Sequence, residues 1–231
     1  MRISLKVLLI LCVSMQMACG DMSERRHIDE GPVLQSQAVS SSSPFHSLNG
    51  WQAPVTFFVE ASSPDQIVEA SIIAAASWSD AVGYTIISFE GVIEAERGHE
   101  LYSSLNDDKT IIYYETDWLN TTGKPATTLA TTVWENDRQS DQIVRGDVIL
   151  NAEVYLFQDA LQPAEDDSRK NQIVDGETVI LHEFGHLLGL DHVMENEDEE
   201  SIMHAKTFIG PYMHSRVLSD GDRLNIRSIY D

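Results

Sequence analysis

Hydrophobic and polar positions alternate over residues 54–60 (PVTFFVE), the period of a half-buried strand. The spacing then changes. Ile67, Ala70, Ser71, Ala74, Ala75 and Trp78 recur three and four apart, which predicts a helix laying a narrow stripe of small residues, with a Trp at its end, against a sheet. Ser63 as N-cap, Pro64 at the first helical position and Gln66 at the capping-box position predict its start. Residues 84–90, 110–116 and 143–151 are rich in β-branched and aromatic side chains and predict further strands. Residues 124–135 (KPATTLATTVWE) have β propensity but little alternation, so an edge strand and a loop both stay open. Farther on, Val179, Ile180, Leu181, Phe184, Leu187 and Leu188 supply the apolar face of a second long helix. Asp175 is placed to cap it, unless Ile173 and Val174 extend it backwards. Strands followed by helices, with a core helix between them, predict an α+β domain built on a mixed sheet.

The N-terminal pattern is of another kind. Arg2 and Lys6 precede an apolar run over residues 7–13, the charge and length of an export signal and too short to span a bilayer. Met17-Ala18-Cys19-Gly20 resembles the end of a bacterial lipoprotein signal, in which Cys19 becomes the lipidated first residue; cleavage after Gly20 is the alternative. The expected organisation is a signal over 1–19, a linker over 20–49 and one folded domain over 50–231. The linker holds few aromatics and the run SSSSP at 40–44, too little apolar surface to offset ordering. Cys12 and Cys19 both fall in or at the edge of the signal, so the expected domain has no disulfide. The product is expected outside the cytoplasm, anchored by lipid or secreted, as a monomer that meets a membrane only through its anchor. A net charge of −22, with 37 acidic against 15 basic residues, argues against nucleic acid or anionic membranes as partners. Neither 165–167 nor 195–200 (ENEDEE) has the spacing of a calcium loop, so calcium lacks the support of a motif.

Three of the eight histidines lie within eleven positions, in HEFGHLLGLDH, residues 182–192. On a helix His182 and His186 project from one face and can reach one small ion. Gly189 is placed to end the helix in a left-handed conformation and return His192 to that ion. Three neutral imidazoles with an open fourth position are the donor set of a catalytic zinc. Glu183, too near His182 in sequence to share the ion comfortably, is placed to take a proton from an attacking water. In random chains of this composition the eleven-residue spacing arises in roughly 1 in 25,000, which sets coincidence aside.

Ser201-Ile202-Met203 follows eleven positions after His192 and resembles the Met-turn of metzincin peptidases. With Ala76-Ser77-Trp78-Ser79 ending the first helix and Leu218-Ser219-Asp220, Ile226 and Ile229-Tyr230 in the last, residues 51–231 are most similar to the matrixin family in a bacterial, exported form. The resemblance implies a mostly parallel twisted sheet with two long helices, the zinc helix lining the cleft, a Met-turn and a C-terminal helix. It also implies a zinc endopeptidase acting on proteins or peptides, with His182, His186 and His192 as ligands of one zinc, Glu183 as base, Met203 under the site and 128–133 as the strand that pairs with substrate. A zinc-binding lipoprotein that binds or adheres without catalysis is the rival, and the intact Glu183 weighs against it. Val193 and Ala205 depart from the residues that animal matrixins and astacins carry there. The cysteine-switch motif and the structural-zinc histidine pattern are not found, and His99, His204 and His214 are read as surface or satisfied side chains.

Overall fold

The computed structural model describes residues 49–231 except 53, 99–105, 107, 138, 163–167 and 195; the expected signal, Cys19, nearly all of the linker and His99 lie outside the described residues. Five strands, β1 (Val55–Glu60), β2 (Ile87–Ile93), β3 (Thr110–Glu115), β4 (Ala130–Asn136) and β5 (Ile143–Asn151), form one sheet in the order β2-β1-β3-β5-β4. All neighbours are parallel except β4, which runs antiparallel to β5 at the edge. A second, small parallel sheet joins β6 (Leu156–Gln158) to β7 (Ile173–Asp175). The helices are α1 (Asp65–Val82), a short α2 (Trp118–Thr122), α3 (Gly176–Leu187) and α4 (Asp220–Tyr230). This is the α+β, mostly parallel architecture expected, and the open tract 124–135 resolves into a loop leading into the edge strand β4.

Burial on both sheet faces explains why β3 reads as an unbroken apolar run. Ile112, Val148 and Leu150 face the main core under α1 and α3, while Ile111, Tyr113, Val133 and Ile149 face a second cluster with Trp118. On α1 the predicted stripe, Ile67 through Trp78, is buried, and Trp78 donates its indole N–H to the Leu181 carbonyl of α3 at 2.8 Å. That bond locks the two long helices together deep in the core.

Several boundaries differ from the expectation. The α1 helix begins at Asp65, with Pro64 at the cap position and no side-chain cap; Gln66 instead donates to the Phe157 carbonyl on β6 at 2.7 Å, so the capping box from Ser63 does not form. The second strand starts at Ile87, because Tyr84 serves the turn after α1 and donates to the Tyr230 carbonyl. Ile173 and Val174 pair with β6 and do not extend α3, which Asp175 caps by accepting from Thr178 N at 3.0 Å.

Candidate metal centre

α3 is buried along nearly its whole length, between the sheet, α1 and the segment that returns under it. It ends in a Schellman arrangement: Leu190 N donates to Gly185 O and Gly189 N to His186 O, both at 2.9 Å. Gly189 has φ 105°, a conformation that side-chain-bearing residues resist. The reversal carries His192 back to the helix. Imidazole centroids lie 4.6 Å apart for His182 and His186, 4.5 Å for His186 and His192, and 5.3 Å for His182 and His192. One ligand atom from each falls within 4.8 Å of the others.

The ring nitrogens turned away from the cluster are engaged. His182 Nδ1 lies 2.7 Å from the Ile202 carbonyl and His186 Nδ1 2.8 Å from the Leu190 carbonyl. A carbonyl only accepts, so each Nδ1 carries the proton and each Nε2 keeps its lone pair. His182 Nε2 is buried with no hydrogen-bond partner, an orphan of the kind that a cation satisfies. His186 Nε2 and His192 Nε2 stand 3.0 Å apart, near the roughly 3.3 Å between two nitrogens on one tetrahedral zinc. Burial first, then the neighbouring His186 and His192, push His182 well below its usual pKa and keep it neutral, the state in which it can ligate. The three side chains fit a zinc ion, and three imidazoles leave one position of a tetrahedral ion to another ligand.

Glu183 is fully buried beside His182. Thr132 Oγ1, on the edge strand, donates to Glu183 Oε2 at 2.6 Å. Thr132 carries no sequence signal of its own; only the fold brings a residue 51 positions away to that carboxylate.

Met203 is buried. A Cβ on Gly185 would run into Met203 Sδ, so α3 and the turn at Met203 pack in direct contact at the residue between the two helical histidines. The turn is held from α4. Asp222, fully buried, accepts from Ser201 Oγ at 2.6 Å, Ile202 N at 2.9 Å and Ser219 N at 2.9 Å, and its own N–H donates to Ser219 Oγ. A line of hydrogen bonds therefore runs from the α4 capping box through Asp222 and Ile202 to His182. Val193 N, next to His192, donates to Met203 O at 2.9 Å and closes the turn on the third histidine. The spacing of the motif pointed to the three histidines, which the structure brings together; Asp222 was not among the residues singled out from the sequence. His204 Nε2 pairs with the Asp198 carbonyl at 2.6 Å and His214 is exposed; neither joins the cluster.

The matrixin family model matches residues 115–231. No curated protein matches the chain. Among solved structures, one of myroilysin aligns at 12% identity over 90% of this chain and 92% of that one, with a TM-score of 0.40. Another of myroilysin aligns at 12% over 78% and 82%, with a TM-score of 0.38. A zinc-dependent peptidase from Methanocorpusculum labreanum aligns at 13% over 74% and 99%, with a TM-score of 0.34. The matched span of the family model runs from the end of β3 through the three histidines and Met203 to the C-terminus.

Proposed function

This chain belongs to the matrixin family and is a metallopeptidase, and on that premise we propose that it is a zinc endopeptidase in which Glu183 is the general base. The observation that carries the reading is the convergence of His182, His186 and His192 beside a fully buried Glu183. Held by those three imidazoles, zinc would supply a Lewis acid that acidifies water and polarises the scissile carbonyl. The protein's own groups do the rest. Ile202 O and Leu190 O fix the tautomers of His182 and His186. Glu183 accepts the proton of the attacking water and returns it to the departing nitrogen.

A protein or peptide is the substrate, and β4 is the strand that would receive it. It is the last strand of the sheet order, its inner edge is paired with β5, and Thr132 on it touches Glu183. An extended peptide added to its outer edge would gain backbone hydrogen bonds with little demand on sequence. The same reading makes residues 1–19 an export signal, Cys19 the candidate lipid site and 20–49 the tether from which the domain works, as a monomer outside the cytoplasm.

The test is hydrolysis of a fluorogenic denatured protein by the purified zinc-loaded enzyme, by the chelated enzyme and by Glu183→Gln. Activity lost to chelator, restored by zinc and absent from a Glu183→Gln protein that still holds zinc is the expected result. A folded, zinc-loaded wild type that cleaves no unfolded protein would instead make the domain a binding module.

A further inference from the structure

The Glu183 carboxylate stands in a buried site, and the last torsion of a Glu side chain is broad and roughly two-fold. A buried carboxylate that must offer one oxygen to a water therefore needs a donor that selects its plane. Thr132 is placed to do this. It is fully buried on β4, pairs with Val148 of β5, and points to the sheet face that carries Ala130, Val148 and α3, while Val133 points to the other. Its Oγ1 lies 2.6 Å from Glu183 Oε2 and 3.1 Å from the Glu183 carbonyl oxygen. A hydroxyl has one proton to give, and the nearer, charged oxygen is the stronger acceptor. As a β-branched residue Thr also has a stiff χ1, so the hydroxyl's aim is set by the strand itself.

We propose that Thr132 is a positioning residue for the reaction: its hydroxyl commits Oε2 and so fixes the plane in which Glu183 works. This rests on the reading of Glu183 as the general base. One consequence is a direct tie between the strand proposed to receive substrate and the group proposed to move the proton. Pairing of a peptide with β4 and alignment of the base then share one residue.

The test compares Thr132→Val, which keeps the shape and removes the hydroxyl, with Thr132→Ser, which keeps the hydroxyl, both beside Glu183→Gln. Zinc content, kcat and KM on a fluorogenic peptide, and the metal-free crystal structure of Thr132→Val are measured. Loss of one hydrogen bond to a charged group predicts a fall in kcat of about 10- to 100-fold in Thr132→Val, with KM and zinc content unchanged. Thr132→Ser should stay close to wild type, and in the metal-free Thr132→Val structure the Glu183 carboxylate should be rotated. If Thr132→Val does not fold, Thr132→Ala carries the same comparison. A wild-type kcat in the variant lacking the hydroxyl would overturn the proposal. So would an equal loss in Thr132→Ser, a rise in KM with kcat intact, or an unmoved carboxylate. Full activity in Glu183→Gln would remove the underlying reading as well, whereas an inactive Glu183→Gln beside a fully active Thr132→Val would remove only the role of Thr132.

Discussion

Asp222 is the position where stability and metal binding should fall together. Its carboxylate accepts three hydrogen bonds, from Ser201 Oγ, Ile202 N and Ser219 N, at a fully buried site. Asp222→Ala leaves all three donors unsatisfied in the interior. At roughly 1.5 kcal/mol for each bond to a charged acceptor, and with some non-additivity, the loss should be about 4 kcal/mol. For a domain of this size that lowers Tm by about 10 °C. Asp222→Asn gives a sharper comparison. Its carbonyl oxygen can serve both backbone N–H groups, and its amide can donate to Ser201 Oγ, which accepts as readily as it donates. Both backbone donors then keep their acceptor and only the Ser201 hydroxyl proton loses its own, so the cost should be near 1 kcal/mol. Because Ile202 lends its carbonyl to His182, the Ala variant should also bind zinc at least tenfold more weakly, while the Asn variant binds nearly as wild type. Urea unfolding and competition with a chromophoric chelator measure the two effects. Equal damage in Asn and Ala, or an Ala variant with intact zinc affinity, would refute the line from α4 to His182.

The Gly185→Ala change adds a methyl 2.3 Å from Met203 Sδ and 3.1 Å from Trp78. Overpacking of about 1–3 kcal/mol should exceed the roughly 1 kcal/mol that Ala gains in a helix, and thermal unfolding should show a net loss. Arg216→Ala strips the guanidinium from Asp175, the nearly buried cap of the zinc helix, and should cost about 3 kcal/mol in urea unfolding. Burial alone would raise the Asp175 pKa, but the hydrogen bonds from Arg216, Thr178 and Ala160 outweigh it and hold the carboxyl below its ordinary value. The stability this contributes is full above about pH 4 and is lost as pH falls through the depressed native pKa, so wild type should lose more stability below pH 4 than Arg216→Ala does. Trp51→Phe removes the indole donor to the Leu187 carbonyl at the end of α3 and should lower stability by about 1 kcal/mol in the same assay, with zinc retained.

How far the chain could be read in advance follows the range of the interactions involved. The α1 stripe, the strands and the histidine spacing depend on neighbours within a few residues, and periodicity carries them. The capping box at the start of α1 does not form because Gln66 is taken up by Phe157, 91 residues along, and no local pattern reports a competitor at that distance. The same reason hides Thr132. In the sequence it is one of four threonines in a tract that could be strand or loop. Only when β4 docks antiparallel at the edge, with Ala130 and Thr132 turned toward α3, does it become the donor that Glu183 meets. His182, His186 and His192 could be named because a helix and one glycine reversal bring them together locally. The groups that orient them, Ile202, Asp222 and Ser219, come from a different part of the chain and depend on tertiary packing. A motif of this kind thus encodes the three histidines in the line of the chain and leaves their aim to the fold. Substitutions in the orienting groups should accordingly alter metal affinity and rate without touching a ligand.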